Sequence, residues 1–294
     1  MMKKAERTRM NKPKFSIITP TYNRAYVLWK TLLAVQNQSL SDWELLIIDD
    51  GSTDDTKKLL AEFQDDERIK YFFQNNQGPS AARNRGLAVA LGDVVTYVDS
   101  DDEPYPQFLS IIHRSLLSCP DRNYGLCNHN RTQELLDENF KTKALKIDST
   151  TQNQSITLQN FYDWEAKTTS TGLFHRRDFF ARKVAWKSNI YIEDLEFLMQ
   201  LAVLNESGFL HIPQTLFNYR QKYGGDGLCS QASYHVWAHS FKTIYDLHKN
   251  DLLMKKAEVY LTREKKYNDL HQKDLRGDCI PQTYKYFPEF WEKK

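Results

Sequence analysis

Short apolar runs of strand length alternate with amphipathic stretches through the first hundred residues, and this alternation constrains the fold more than any other feature. The apolar runs predict four strands, at Phe15–Thr19, Glu44–Ile48, Ile69–Phe73 and Asp93–Val98. The stretches between them predict helices, at Arg24–Gln38, from Ser52 or Asp54 to about Phe63, and from Pro79 to Leu91. Because strands that alternate with helices pair in parallel, we expect an α/β fold, with a mostly parallel sheet flanked by helices.

Carboxylates follow the second and the fourth predicted strands. The first group comprises Asp49, Asp50, Asp54 and Asp55, and the second comprises Asp99, Asp101, Asp102 and Glu103. Ligands of open α/β sheets bind beyond the carboxyl ends of the strands. Neither place carries the glycine-rich motif of a dinucleotide fold or of a P-loop. The sheet is therefore expected to present acids to its ligand.

Asp99-Ser100-Asp101 forms a DxD motif at the end of a predicted strand. Two such carboxylates can reach a hard divalent cation, Mn²⁺ or Mg²⁺, directly or through water. That ion can bridge the oxygens of a diphosphate and neutralise the charge that develops when the diphosphate leaves. The alternative is a solvated turn or a helix cap, for which the strand context gives less support.

Two further side chains at strand ends are candidates for nucleotide binding. Asp50 can accept a hydrogen bond from the imide N–H of a uracil ring, and Tyr22 can lie against the base. Each has a structural alternative: Asp50 can cap the following helix together with Asp54, and Tyr22 can be a half-buried core ring.

Four motifs together identify a family. They are SIITPTYNR at 16–24, IIDDGSTDDT at 47–56, GPSAARNRG at 78–86 and GDVVTYVDSDD at 92–102. In this order and spacing they resemble the nucleotide-sugar domain of the family-two inverting glycosyltransferases, which have the GT-A fold. The resemblance is dense over about 15–110 and looser to about 228. It implies a Rossmann-like GT-A sheet.

The resemblance also implies roles for the matching positions. The implied nucleotide-binding residues are Pro20, Tyr22, Asp50, Arg83, Asp99 and Ser100. The first three would surround the uridine, and Arg83 would lie near the nucleotide or the diphosphate. Asp99 and Asp101 would serve the ribose and the metal, with Asp101 as the direct metal ligand ahead of Asp99.

The family's catalytic base is an acidic residue at a helix start in the second half, and Glu193-Asp194 fits that pattern. We assign Asp194, which would take the proton from the acceptor hydroxyl as that oxygen attacks the anomeric carbon. In-line displacement would convert an α-linked donor into a β-linkage. The alternative for this pair is capping and compensation of the helix dipole.

Other residues are assigned to the acceptor or diphosphate region. They are Glu193, Thr171, Arg220 and Lys222. Many relatives have a histidine at the position of Lys222, two residues after a Tyr-Arg pair, so a third metal ligand from this loop is in doubt. The glycine-rich 223–227 would permit a closing lid.

The predicted organisation has three parts: a basic flexible tail at 1–14, a GT-A domain at 15–228 and a helical C-terminal extension at 229–294. The domain divides into a nucleotide-binding half at 15–110 and an acceptor half at 111–228. The middle segment, 125–159, is predicted as an edge strand and a long loop, and 209–220 as a strand pair. The extension can pack on the core, form a dimer contact or bind a lipid-linked acceptor.

Charge and cysteine content limit the classes of function. Forty Lys and Arg against 38 Asp and Glu argue against a nucleic-acid binder. The tail has six basic residues and one acidic residue, so it is either a solvated terminus or a segment that docks to an anionic membrane. No apolar run is long enough to span a bilayer, and no signal-peptide core follows the tail. Four cysteines without a CxxC pair fit a cytoplasmic protein, with association at the inner face of the membrane left open.

The sequence therefore predicts a metal-assisted inverting glycosyltransferase that uses a UDP-sugar. The acceptor would be a glycan or a lipid-linked molecule in bacterial surface polysaccharide or glycoconjugate synthesis, and a homodimer is compatible with this function. Two alternatives remain. A sugar-phosphate nucleotidylyltransferase would need a glycine-rich basic loop after the first strand, which Thr19–Asn23 does not supply. A non-catalytic carbohydrate-binding protein would not need both the DxD and Glu193-Asp194.

Overall fold

The computed structural model describes residues 12–136, 142–148, 169–180, 183–188, 190–223 and 234–248. Most of the predicted tail, residues 224–227 of the proposed lid, and the extension beyond residue 248 lie outside these residues.

A central nine-stranded sheet runs through the described part of the chain, in the order β3-β2-β1-β4-β8-β6-β9-β5, with β7 paired to β6. The strands are β1 (Phe15–Thr21), β2 (Trp43–Asp49), β3 (Ile69–Phe73), β4 (Val94–Tyr97), β5 (Glu103–Pro104), β6 (Tyr124–Leu136), β7 (Thr142–Asp148), β8 (Leu173–Arg176) and β9 (Phe209–Tyr223). The helices are α1 (Ala25–Gln36), α2 (Thr56–Ala61), α3 (Pro79–Val89), α4 (Phe108–Ser118), α5 (Arg177–Phe180), α6 (Glu193–Leu204) and α7 (Tyr234–His248). A short 3₁₀ helix covers Glu206–Gly208.

The first four strands form the parallel part of the sheet that the sequence predicts. β1 pairs in parallel with β2 and β4, and β2 pairs in parallel with β3. Every residue of β1 and β2 is buried, which explains why both strands are almost continuously apolar. The predicted α/β class, with a GT-A-like sheet flanked by helices, is confirmed.

The second half of the sheet is mixed. β8 is antiparallel to both β4 and β6, β9 is parallel to β6, and β5 is antiparallel to β9. The prediction of an edge strand and a long loop for 125–159 is wrong in both parts, since β6 lies between β8 and β9, and β7 is a strand where the loop was predicted. Residues 137–141 and 149–159 lie outside the described residues. The polar residues of β6 misled the prediction because they pair with neighbouring strands on both sides instead of facing solvent at an edge.

The predicted strand pair at 209–220 is a single strand, β9. Pro213 looks like the turn of a hairpin in the sequence. In the structure, the register between β6 and β9 shifts on both sides of Asn128, and Pro213 lies in the skipped part of β9. The Asn128 side-chain amide donates to the Pro213 carbonyl at 2.9 Å. A bulge is one of the places where a strand tolerates proline.

Two hydrophobic clusters cover the two faces of the sheet. One joins β1 residue Ile18 to α3, α6 and α7, and the other joins Ile17 to α1 and α4. Phe241 and Ile244 of α7 are fully buried in the first cluster. The start of the predicted extension therefore packs on the core, while the boundary at 228/229 stays a prediction. No helix in the described segments has the length and apolar character needed to cross a membrane.

Candidate active site

The loops after β1 and β2 are tied together by Asn23, which has a positive φ of 52°. Its side-chain oxygen accepts the backbone N–H groups of Thr53 at 2.7 Å and Asp54 at 3.3 Å. Its own N–H donates to the Ser52 hydroxyl at 2.8 Å. These bonds join Asn23 to the loop 52–54 and form a rim at the carboxyl ends of the parallel strands. The sequence predicts that the nucleotide binds at this edge of the sheet.

Asp50 is buried at the end of β2 and orders the loop before α3. One carboxylate oxygen accepts the Gln74 side-chain amide at 2.8 Å and the Gln77 N–H at 2.9 Å, and the other accepts the Gly78 N–H at 2.8 Å. Burial raises the pKa of this carboxyl. The side chain that bonds the first residue of α2 is instead Asp54, which accepts the Thr56 N–H at 3.0 Å.

The other predicted uridine contacts lie on the same rim. Pro20 is buried within β1, and Tyr22 is half-buried immediately after that strand. A base contact for either residue, and the uracil bond of Asp50, stay predictions. A carboxylate that already accepts three hydrogen bonds retains capacity for another.

Arg83 of α3 connects the two halves of the site. The guanidinium is buried, and it donates to Glu193 Oε1 at 2.9 Å, to Asp99 Oδ1 at 2.8 Å and to the Ser170 hydroxyl at 3.0 Å. Its carbon lies 4.6 Å from the ring centre of Trp186. Burial alone would lower the pKa of Arg83, but the charges of Asp99 and Glu193 outweigh it and raise the pKa. One cation thus links the DxD loop to the start of α6.

Ser170 and Thr171 contact the DxD loop through hydrogen bonds to Asp99. The Ser170 hydroxyl donates to Asp99 Oδ2 at 2.5 Å, and the Thr171 hydroxyl accepts the Asp99 N–H at 2.9 Å. The sequence predicts Thr171 in the acceptor or diphosphate region, and Ser170 is not among the residues assigned there. Thr171 is fully buried under the loop, so the structure gives it a supporting contact there.

The three acids of the DxD loop have different surroundings. Both oxygens of Asp99 are engaged, by Arg83 and by Ser170. Asp101 is half-buried, and its Oδ2 lies 3.2 Å from a guanidinium nitrogen of Arg24. Asp102 is fully buried, and burial raises its pKa well above the ordinary value, with Asp101 and Asp99 adding to the effect. Ser100 is buried between the first two acids.

Glu193 and Asp194 form the first turn of α6. Burial raises the pKa of Glu193 to about 7; Arg83 opposes this shift, and the neighbouring charge of Asp194 adds to it. Asp194 is half-buried, and its Oδ1 accepts the Leu195 N–H at 2.8 Å. The acids that sequence reasoning placed at a helix start are therefore at that start, and Arg83 holds one of them beside the DxD loop.

Comparison with known proteins identifies the family. The sequence model described as "Glycosyl transferase family 2" matches residues 16–181, more than half of the chain. The chain belongs to glycosyl transferase family 2. One curated relative, the GalNAc(5)-diNAcBac-PP-undecaprenol beta-1,3-glucosyltransferase of Campylobacter jejuni, is 38% identical over 152 residues, which cover 51% of this chain and 49% of that protein. This family 2 chain therefore aligns with about half the length of that relative.

Solved structures of other glycosyltransferases share the fold. S. aureus TarS 1–349, solved with UDP-GlcNAc, gives a TM-score of 0.64 at 17% identity and covers 92% of this chain and 77% of that one. The Pyrobaculum calidifontis mannosyltransferase PcManGT, solved with GDP-Man and Mn²⁺, gives 0.55 at 14% identity and covers 86% of this chain and 75% of that one. At these identities the likeness shows the GT-A architecture alone.

One carboxylate of the DxD loop could hold the divalent metal that membership of family 2 implies. No cluster of three or more His, Cys, Asp or Glu side chains suited to a metal occurs among the described residues. Mg²⁺ is usually held by one or two carboxylates, several waters and the phosphates of the substrate. Asp101 fits that mode, with Arg24 balancing its charge in this structure. Asp99 fits less well, because both of its oxygens have partners.

Two of the predicted diphosphate residues lie on β9. The Arg220 side chain is buried and pairs with Glu103, and its backbone N–H donates to Asp102 Oδ1 at 3.0 Å. These contacts tie β9 to the DxD loop of this family 2 chain. The backbone of Lys222 pairs with Glu134 of β6, but its side chain lies outside the described residues. A diphosphate contact for either residue stays a prediction.

Proposed function

We propose that the chain is a metal-assisted inverting glycosyltransferase that moves a sugar from a UDP-sugar to a hydroxyl of a glycan or lipid-linked acceptor. The observation that carries this proposal is the bridge formed by Arg83, which binds Asp99 of the DxD loop and Glu193 of α6 simultaneously. The bridge joins the predicted donor loop to Glu193, the neighbour of the proposed base Asp194, across a long stretch of sequence. Membership of family 2 supports the same chemistry.

In the proposed reaction, Asp194 accepts the proton of the acceptor hydroxyl as its oxygen bonds to the anomeric carbon. The bond from that carbon to the diphosphate oxygen breaks, and its electron pair leaves with UDP. A divalent cation, when bound, would neutralise the charge on the departing diphosphate. Attack opposite to the leaving group inverts the anomeric centre.

The surroundings of the two acids favour Asp194 over Glu193 as the base. Glu193 accepts a hydrogen bond from Arg83 at 2.9 Å and so positions both that guanidinium and the start of α6. Asp194 is half-buried on the same turn and keeps its orientation through the Leu195 N–H. We therefore assign proton transfer to Asp194 and positioning to Glu193.

The names of related proteins guide the proposal for donor and acceptor. TarS was solved with UDP-GlcNAc, and the Campylobacter relative is named for glucosyl transfer to an undecaprenol-linked glycan. We propose a hexosyl or N-acetylhexosaminyl group as the cargo and synthesis of a bacterial surface polysaccharide or glycoconjugate as the setting. The mannosyltransferase solved with GDP-Man makes a GDP-sugar the competing donor.

We also propose that the protein works in the cytoplasm, at the inner face of the membrane. Exposed aromatic side chains of α1 support peripheral contact with lipid: Trp29 is 41% exposed and Tyr26 is 52% exposed. Aromatic side chains of this kind favour the membrane–water interface. A homodimer is compatible with this arrangement and is not required by it.

A panel of nucleotide sugars, with released UDP or GDP as the readout, tests the proposed reaction. We expect slow hydrolysis of one UDP-sugar and faster release with its acceptor. Asp194→Asn should retain UDP affinity and reduce the transfer rate by about 10²–10⁴-fold, because an amide cannot take the proton. Asp65→Asn, an exposed position away from the site, is the matched control. Transfer at the parental rate by Asp194→Asn would show that the base is misassigned.

The metal proposal is tested by UDP binding with and without Mg²⁺. We expect Asp101→Asn to lower the Mg²⁺-dependent affinity for UDP by roughly tenfold, since it removes the carboxylate best placed to hold the ion. Affinity measured in EDTA should change little. Calorimetric titration of UDP into wild type and Asp101→Asn, with Asp65→Asn again as control, measures these affinities. An equal loss of affinity in EDTA would assign Asp101 to the nucleotide rather than to the metal.

A further inference from the structure

We propose that a pocket beside β5, outside the nucleotide loops, binds a neutral sugar residue of a glycan. The pocket has a volume of about 310 Å³ and lies between the end of α1 and the strands β5, β6 and β9. Ala34 and Asn37 contribute the helical wall, and Glu103, Asn130 and Asn218 contribute the strand wall. This volume is at the lower end of the range for small-molecule sites.

The polar side chains of the pocket retain hydrogen-bonding capacity. Asn130 donates to the Tyr105 hydroxyl at 2.9 Å, which leaves its carbonyl oxygen without a protein partner in the described segments. Thr132 donates to the Asn218 carbonyl oxygen, which leaves the Asn218 NH₂ group similarly available. The side chain of Asn37 makes no hydrogen bond to any described residue and is exposed. Carboxamides both donate and accept, as sugar hydroxyls require.

Apolar ring faces complete the lining. Pro104, Tyr105 and Pro106 line the same pocket in consecutive positions. Sites for small molecules combine apolar and aromatic walls with a few polar groups that fix orientation. The C–H face of a sugar ring can pack against these rings while its hydroxyls reach the asparagines.

The charges around the pocket favour a neutral ligand. No lysine, arginine or histidine is found among the described residues that line it. Glu103 supplies a carboxylate, which forms an ion pair with Arg220. A phosphate or carboxylate ligand would find no cation in this lining to pair with its own charge. A neutral saccharide avoids that cost, so the lining selects against nucleotides and sugar phosphates.

The pocket lies next to the DxD loop, and this position suggests a function for sugar binding there. Glu103 lies two residues after Asp101, so the pocket wall continues directly from the DxD loop. A glycan held here would stay beside the transfer site between successive reactions. That use depends on the proposed transferase activity, whereas sugar binding itself does not.

Saturation-transfer NMR with glucose, N-acetylglucosamine, N-acetylgalactosamine and their short oligomers tests the proposal. Excess UDP and Mg²⁺ occupy the donor site. Any saturation-transfer signal that remains therefore reports a sugar bound outside the donor site. We expect a signal for at least one neutral sugar and a much weaker one for glucose 6-phosphate. Ala34→Phe should abolish the signal by filling the pocket, and Asn37→Ala should weaken the apparent affinity by roughly two- to tenfold.

Ala61→Phe, the same change at an exposed position of α2, is the matched control and should keep the sugar signal. Retained UDP affinity in each variant shows that it is folded. A sugar signal that survives both pocket variants, or no signal for any neutral sugar, would overturn the proposal. Loss of sugar binding in folded Ala34→Phe supports it even if no donor is ever hydrolysed, which separates this result from the test of transfer.

Discussion

The guanidinium of Arg83 holds two carboxylates that belong to different halves of the protein. It is buried, and Asp99 and Glu193 each approach within 3 Å of its nitrogens, at 2.8 and 2.9 Å. Removing one partner of a buried ion pair typically costs about 3–5 kcal/mol, because the other charge stays buried without compensation. The same cluster therefore affects both the position of the reacting loops and the stability of the fold.

Glu193→Gln tests the electrostatics of this cluster. The pKa of Glu193 is raised from 4.5 to about 7, so the folded protein favours the protonated acid. A raised carboxyl pKa gives stability that is complete below pH 4.5 and is lost as the pH rises through 7. We expect the unfolding free energy of wild type, relative to Glu193→Gln, to fall by about 2–3 kcal/mol between those limits. Urea unfolding at several pH values measures this.

Exposed Glu206 provides the matched control variant, Glu206→Gln, measured over the same pH range. A difference that stays constant with pH for Glu193→Gln would mean that the pKa of Glu193 is the same in the folded and the unfolded protein.

At the scale of residues, the sequence indicates which acids lie at strand and helix ends, but it does not indicate their partners. Asp50, Asp99, Asp101 and Asp194 could be located because each directly follows or begins a periodic segment. Ser170 and Asp99 lie 71 positions apart, and Arg24 and Asp101 lie 77 apart. Such contacts depend on strand order, which local patterns do not specify.

At the scale of elements, the backbones of β6 and β9 lie too close together at Gly125 to leave room for a side chain. A Cβ atom at Gly125 would lie 1.9 Å from the Leu210 carbonyl oxygen and 2.7 Å from a ring carbon of Phe174. Gly125 thus allows β6 to pair with β9 on one side and β8 on the other. The backbone of a neighbouring strand cannot move aside without breaking the ladder.

We therefore expect Gly125→Ala to destabilise the protein by about 3 kcal/mol or more, through overpacking. Gly208→Ala is the comparison, because its new methyl group would meet the Asn205 side chain at 2.3 Å, and that side chain can rotate away. Its cost should be below about 1 kcal/mol. Denaturant midpoints of the two variants decide the matter, and equal costs would contradict the assigned clash.

The elements predicted from sequence were most accurate where each strand is followed by its own helix. The strands β1–β3 follow that rule, and each has an apolar run whose limits can be read from the sequence. β9 does not, because Pro213 has the same local signature in a bulge as in a hairpin turn. Only the register against β6 distinguishes the two, and that register is a long-range property.

At the scale of the whole molecule, α7, the last helix among the described residues, belongs to the core of the described structure. Phe241 and Ile244 are fully buried in the cluster that also contains Phe197 and Trp186. Trp186 and Phe197 stack with ring centres 4.4 Å apart, and Trp186 packs against Arg83. Through this stack, α7 supports the bridge in the candidate active site.

Phe241→Ala should consequently cost about 3–5 kcal/mol of stability, the usual range for removing a buried phenylalanine. Leu247→Ala, on the same helix but 52% exposed, should cost less than about 1 kcal/mol. Thermal or denaturant unfolding compares the two directly. If Phe241→Ala were as stable as Leu247→Ala, α7 would not be part of the cooperative core.

The sheet order has a consequence for biosynthesis. β6 ends at residue 136, but its parallel partner β9 is complete only at residue 223. At about 5–20 residues per second, the ribosome takes roughly 4–17 s to make the intervening chain. Throughout that interval the side of β6 that pairs with β9 is an unpaired edge, which can pair with another chain and so promote aggregation. The parallel strands β1–β4 can assemble as they emerge, whereas the half assigned to the acceptor must wait for β9.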